Sequence, residues 1–139
     1  MKPNRKEFNY LYKQMDDLYH DIAVHAGLSD SAFTILYGLL DIGDGCLQKD
    51  ISSQYSISRQ TINSSIKNLE KKGYVSLQQG KHLYLTPEGR QFAKEKVEPL
   101  FNIENSVFEQ MTPQEGSELL RLTRKYVTLF TKKIKGEFV

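Results

Sequence analysis

The chain has 139 residues, 39% of them hydrophobic and 26% charged, with a net charge of +2 and one cysteine. That length suits one domain around one core, the composition excludes a disordered chain, and a lone Cys46 excludes an internal disulfide and suits an intracellular protein. A net charge this small excludes a polycation that binds nucleic acid without discrimination, so only the distribution of charge bears on a nucleic-acid partner.

The opening MKPNRKEFNY has no apolar run, so no signal peptide is expected. Residues 5–26 then place Phe8, Leu11, Tyr12, Met15, Leu18, Tyr19 and Ile22 at steps of three and four, an amphipathic helix with a broad apolar stripe. Gly27 ends it, and Ser29-Asp30 caps a second helix carrying Phe33, Leu36, Tyr37 and Leu40. The run FTILYGLL inside that helix is far too short to span a bilayer, so no membrane partner is expected. DIGDG (41–45) is a turn, and a short helix over roughly 47–54 turns Leu47 and Ile51 inward. Ser58 is a good N-cap for a helix over about 59–72 whose buried face is Ile62, Ile66 and Leu69.

Gly73 stops that helix. In YVSLQQGKHLYL, Val75, Leu77, Leu83 and Leu85 alternate with polar neighbours around Gln79-Gly80, the period-two pattern of a β-hairpin. Thr86-Pro87-Glu88 starts a long helix through Phe92, Val97, Leu100, Phe101 and Phe108, with a kink expected at Pro99. Thr112-Pro113-Gln114-Glu115 is a capping box that opens a last helix through Leu119, Leu122, Tyr126, Leu129, Phe130 and Ile134. No repeat or linker interrupts the chain. The fold class read from this order is mainly α with a small β-hairpin wing: a winged helix-turn-helix over 29–86 within a single domain 1–139.

The helix starting at Arg59 differs from the others at its first turn. The helices at 29, 86 and 112 place Asp30, Glu88 and Glu115 against the positive end of the helix dipole, whereas this one opens with Arg59, Gln60 and Thr61. Leaving that end without an acid forgoes roughly 0.3–1 kcal/mol and suits an external anion such as a phosphate. Its outward side chains are Arg59, Gln60, Asn63, Ser64, Lys67 and Lys71. Arg pairs with guanine in a bidentate way, and Gln or Asn with adenine; Ser and Thr let the backbone approach phosphate. Between residues 47 and 90, Lys49, Arg59, Lys67, Lys71, Lys72, Lys81 and Arg90 face only Asp50, Glu70 and Glu88, a net +4 that leaves −2 for the rest. The basic charge thus gathers on the part that would touch double-stranded DNA. The DNA-contacting set read from the sequence is Ser56, Ser58, Arg59, Gln60, Thr61, Asn63, Ser64, Lys67, Lys81 and His82, and Arg59→Ala or Asn63→Ala is expected to weaken specific binding by about 1–3 kcal/mol.

LSDSAFTILYGLL, LQKDISSQYSISRQTINSSIKNLEKKGYV, LYLTPEGRQFAKE and MTPQEGSELLRLTRKY together resemble the MarR family of bacterial transcription regulators over nearly the whole chain. The resemblance implies a homodimer joined through its N- and C-terminal helices, 5–26 and 88–136, with recognition helices at 58–72 and wings at 76–84. It further implies regulated DNA affinity, through an effector bound between the dimer contact and the winged unit or through cysteine oxidation. Tyr12, Met15, Tyr19, Tyr37 and Phe101 are the candidate effector walls, each taken singly more simply read as ordinary core. Cys46 has only Lys49 as a basic neighbour in sequence, which argues against a redox sensor. The wing tip, QQGKH, lacks the Asp-x-Arg of many family members, so Lys81 is expected on phosphate rather than in the minor groove.

The residues themselves also favour a dimer, because the last helix is apolar at more positions than one stripe needs. His20 and His25 are five apart and do not share a helix face, so no metal site is expected, and no nucleophile–base pair or phosphate loop points to an enzyme or a cofactor. The function expected is a cytoplasmic, sequence-specific DNA-binding regulator, a repressor of a pseudo-palindromic operator released by a small-molecule effector. The alternative is a protein-interaction module that uses the winged fold without specific DNA binding.

Overall fold

Asn4 opens the first helix: its side-chain oxygen accepts from the backbone N–H of Lys6 (3.0 Å) and Glu7 (3.2 Å). In the computed structural model, which describes residues 2–138, this helix, α1, runs Arg5–His25. Gly27, at φ +75°, turns the chain into α2 (Asp30–Ile42), whose first turn is capped by the Ser29 hydroxyl. The short helix α3 (Gln48–Tyr55) and the longer α4 (Arg59–Lys71) follow, joined through Ser56 in the left-handed region. Strands β1 (Val75–Gln78) and β2 (His82–Leu85) pair antiparallel, with Val75 opposite Leu85 and Leu77 opposite Leu83, so the expected alternation sets the register. Gln79 and Gly80 both take positive φ at the tip.

The first compact unit, Met1–Pro99, has its core where α2, α3, α4, the hairpin and α5 (Pro87–Lys96) meet. Ile35, Leu36, Leu39, Ile51, Ile62, Ile66, Leu69, Leu83 and Val97 are its largest fully buried side chains, each worth roughly 1.5–3 kcal/mol of transfer free energy. The buried face of α4 is the expected Ile62, Ile66 and Leu69, joined by Ser65. Ser65 is buried at 7% exposure, and its hydroxyl lies 2.5 Å from that of Ser31 on α2.

The turn after α2 does more than connect. Residues 44–48 lie along β2 as a strap: Gly45 N–H donates to Leu83 O (2.7 Å), Leu83 N–H to Cys46 O (2.9 Å) and Gln48 N–H to Lys81 O (3.3 Å). Asp44 closes the far end, accepting from Leu85 N–H (2.7 Å) and from the Arg90 guanidinium (2.6 Å). The wing, the strap and the start of α3 are therefore linked by a continuous set of backbone hydrogen bonds.

The motif Leu-Thr-Pro-Glu-Gly (85–89) has a packing reason. Thr86 caps α5 at Gly89 N–H (2.9 Å), donates its hydroxyl to Gly73 O (2.5 Å) and its backbone N–H to Tyr74 O (3.1 Å). That draws the first turn of α5 onto the chain at Tyr74, where a Cβ on Gly89 would sit 1.8 Å from the Tyr74 carbonyl oxygen. The sequence pattern foretold one long helix kinked at Pro99. The helix is interrupted two residues earlier: α5 ends at Lys96, Val97 is its C-cap and still donates its N–H to Ala93 O (2.9 Å), and α6 begins at Glu98 and runs to Glu109. Pro99 has no N–H to give to Glu95 O, and its ring crowds that carbonyl, which accounts for the interruption just before it.

The second compact unit, Leu100–Val139, contains most of α6 and the whole of α7 (Pro113–Glu137). The Thr112–Glu115 capping box forms in both directions, at 3.1 and 2.9 Å. None of the residues of α7 is buried; Leu119, Leu120, Leu122, Tyr126, Val127, Leu129 and Phe130 are 41–55% exposed. On α1 the stripe Phe8, Leu11, Tyr12, Met15, Leu18 and Tyr19 is likewise 42–62% exposed. Neither stripe is absorbed into a core of its own chain. Among the described residues no single helix is long and apolar enough to cross a membrane; α1 and α2 together pass on length and composition but bend by 88° at their junction.

Candidate nucleic-acid interface

Among the described residues, six of the seven helices carry an acid in the first turn: Glu7, Asp30, Asp50, Glu88, Glu98 and Glu115; α4 alone of these seven has none. Its N-cap is Ser58, whose hydroxyl accepts from Thr61 N–H (3.2 Å) and donates to Thr61 Oγ1 (2.9 Å). The two hydroxyls satisfy each other and one backbone donor, worth about 1 kcal/mol to the helix, without bringing negative charge to its end.

Arg59, Gln60, Thr61, Asn63, Ser64 and Lys67 are all exposed, because Ile62, Ser65, Ile66 and Leu69 take the other side of α4. Ser56 and Ser58 are exposed in the turn before it. Lys81 is exposed beside the wing tip. His82 is half-buried, and its Nδ1–H donates to the Gly45 carbonyl (2.9 Å), so this ring nitrogen serves the strap.

Between α3, the start of α4 and the wing tip lies a cleft of about 380 Å³, lined by Leu47, Gln48, Lys49, Ser52, Arg59, Ile62, Asn63 and Lys81. It brings together Arg59, Asn63 and Lys81 from the sequence-derived set; Gln60, Ser64 and Lys67 are on α4 outside its lining. Gln48, Lys49 and Ser52 were missed by the sequence reading. Lys49 counted towards the local charge, but a short helix of uncertain phase gave no reason to aim it at the same place as Arg59.

The five candidate effector walls are distributed differently. Tyr12, Met15 and Tyr19 are exposed along α1, Tyr37 is half-buried on α2 with its ring edge-on to Tyr55 at 5.9 Å, and Phe101 is half-buried in the second unit. None of them lines the cleft. Cys46 sits half-buried in the strap; burial pushes its thiol pKa up, and the Asp50 and Asp44 carboxylates push it further. The described residues hold no group of three or more His, Cys, Asp or Glu side chains placed to bind a metal.

The model of the MarR family matches residues 26–82, which run from just after α1 to the first residue of β2. No curated protein sequence matches the chain. A MarR family regulator from Neisseria meningitidis has a similar structure, at TM-score 0.81 and 20% identity, over 96% of this chain and 99% of that one. MepR of S. aureus in its DNA complex is similar at TM-score 0.68 and 18% identity, over 93% and 99%. BpsR of Bordetella bronchiseptica, a protein whose DNA binding is regulated by 6-hydroxynicotinic acid, is similar at TM-score 0.63 and 22% identity, over 87% and 98%.

Proposed function

Since residues 26–82 carry the MarR family's sequence pattern and the chain has that family's winged helix-turn-helix fold, we propose that this protein is a dimeric, sequence-specific DNA-binding transcription regulator that represses from a pseudo-palindromic operator in the cytoplasm. The observation that carries this reading is the start of α4: exposed, lined with Arg59, Gln60, Asn63, Ser64 and Lys67, and, among the described residues, alone among the helices in having no acid in its first turn. A major groove offers what that end lacks, anionic oxygens beside base edges. The similarity to a DNA-bound MepR is consistent with it.

Two apolar stripes, on α1 and α7, support the dimer, because exposed apolar surface of this extent along whole helices seeks a partner and a two-fold copy is the commonest one. A two-fold dimer reads half-sites about 10 base pairs apart, one helical turn. Release by a small-molecule effector completes the reading, with Tyr12, Met15, Tyr19, Tyr37 and Phe101 as the side chains offered for it; BpsR supports the type of control and not the ligand.

The test is selection of bound fragments from genomic DNA, followed by gel shifts with the enriched duplex and a scrambled one. A shared inverted repeat and a salt-dependent preference of at least about a thousandfold would support the reading. Equal affinity for every duplex would overturn sequence reading. No shift at moderate salt, with a stable hetero-complex recovered instead, would favour the protein-interaction alternative.

A further inference from the structure

The cleft between α3, α4 and the wing gathers three cations from three separate elements: Lys49, Arg59 and Lys81. All three are exposed, and among the described residues none has a carboxylate partner. No acid lines the cleft. Asp50, beside Lys49 in sequence, directs its carboxylate to Leu47 N–H instead (3.0 Å). The neutral lining residues Gln48 and Asn63 add amide donors, while the Ser52 hydroxyl gives its proton to Ile57 O (2.5 Å). The two lips are also tied to each other, since Gln48 N–H at the start of α3 donates to Lys81 O beside the wing tip. This is a basic cleft with buried Ile62 among its lining residues.

We infer that this cleft clamps a backbone phosphate of the DNA, with Lys49, Arg59 and Lys81 as its charged contacts, so that Arg59 positions the duplex and does not read a base. The inference rests on the DNA-binding reading and divides its labour. Three cations converging without an acid match an anionic oxygen cluster better than a base edge, where donors and acceptors alternate. Lysine binds phosphate as a point charge and arginine as a fork, and both suit the same group. Gln60, Ser64 and Lys67, outside the cleft on the exposed part of α4, are left to read bases.

The experiment compares wild type, Lys49→Ala, Arg59→Ala, Lys81→Ala and Gln60→Ala on the selected duplex and a scrambled one, across about 50–200 mM salt. Each cleft variant is expected to weaken both duplexes alike, keeping their ratio within about twofold, and to lower the slope of log affinity against log salt by about one. Gln60→Ala is expected to keep the slope and cut the ratio about tenfold. If wild type binds DNA while the cleft variants keep its slope, or if Arg59→Ala lowers the ratio as Gln60→Ala does, the clamp is overturned and the DNA reading stands. If wild type binds no duplex, both are overturned. Inorganic phosphate, titrated at constant ionic strength and followed by amide resonances, separates the remaining source. Saturable shifts at Gln48 and Lys49, with unchanged slopes in the variants, would assign the cleft to a free anion and overturn the clamp.

Discussion

Replacing Gly89 by alanine should unfold much of this protein's margin of stability. The added Cβ would meet the Tyr74 carbonyl oxygen at 1.8 Å, its carbonyl carbon at 2.6 Å and its Cα at 2.9 Å. These are backbone atoms, so no side-chain rotation relieves the clash. Separating the two segments would break the Thr86 N–H bond to Tyr74 O (3.1 Å) and the Thr86 hydroxyl bond to Gly73 O (2.5 Å), and would disturb the Tyr74–Phe92 stack at 4.3 Å. Overpacking alone costs about 1–3 kcal/mol, and two part-buried hydrogen bonds add about 0.5–1.5 kcal/mol each. A loss of about 2–6 kcal/mol follows, against a usual total of about 5–15 kcal/mol. Urea unfolding at a fixed protein concentration measures it, and the midpoint in a thermal scan should fall by about 6 °C or more. Gly136→Ala is the control: it lies in the last turn of α7, a Cβ there meets nothing within 4 Å, and it should be neutral or slightly stabilising. A Gly89→Ala protein within about 1 kcal/mol of wild type would refute the packing account.

Three further outcomes are expected. The hydrogen bond from His20 Nδ1–H to Asp30 (2.8 Å), and then the charge of Asp30, raise the His20 pKa, so this pair's stabilisation is complete below the ordinary imidazole value of about 6.5 and is lost as pH rises through the higher folded-state value. The gap in melting temperature between wild type and His20→Ala should therefore be present near pH 6 and closed by about pH 9; a gap that widens with pH would contradict the sign. Cys46, with its pKa raised by burial, should alkylate more slowly than a free thiol at pH 8, and peroxide should leave DNA affinity unchanged. Leu122→Asp on α7 puts a charge in the exposed apolar stripe; sedimentation should shift toward monomer and DNA affinity should fall, while α2–α4 keep their helical signal. An unchanged dimer would remove α7 from the interface.

What the sequence disclosed were features with a local cause. Ser29, Ser58, Thr86 and Thr112 each cap a helix because a side-chain oxygen one residue ahead of a turn has one geometry available, and all four do so. The alternation of Val75, Leu77, Leu83 and Leu85 fixed the hairpin register in the same way. The break at Val97 was harder to see, since Pro99 signals a disturbance without saying whether the helix bends or stops. The cleft was invisible because it needs three elements at once: Lys49 and Lys81 are 32 positions apart and meet only through the strap. The engagement of His82 with Gly45, 37 residues away, is equally non-local.

If α4 reads DNA as proposed, the hydroxyl pair between Ser31 and Ser65 bears on how sharply it can discriminate. Greasy contacts such as Ile62 and Ile66 hold a helix near its neighbour yet resist rolling about its long axis only weakly, since one methyl replaces another at small cost. Two oxygens at bonding distance act as an index mark, setting the helix at one angle around its own axis. Ser65→Ala would keep almost all of the apolar seam while erasing that mark. The same side chains would then face the groove over a wider fan of angles, and the penalty for a wrong base would shrink even where affinity did not.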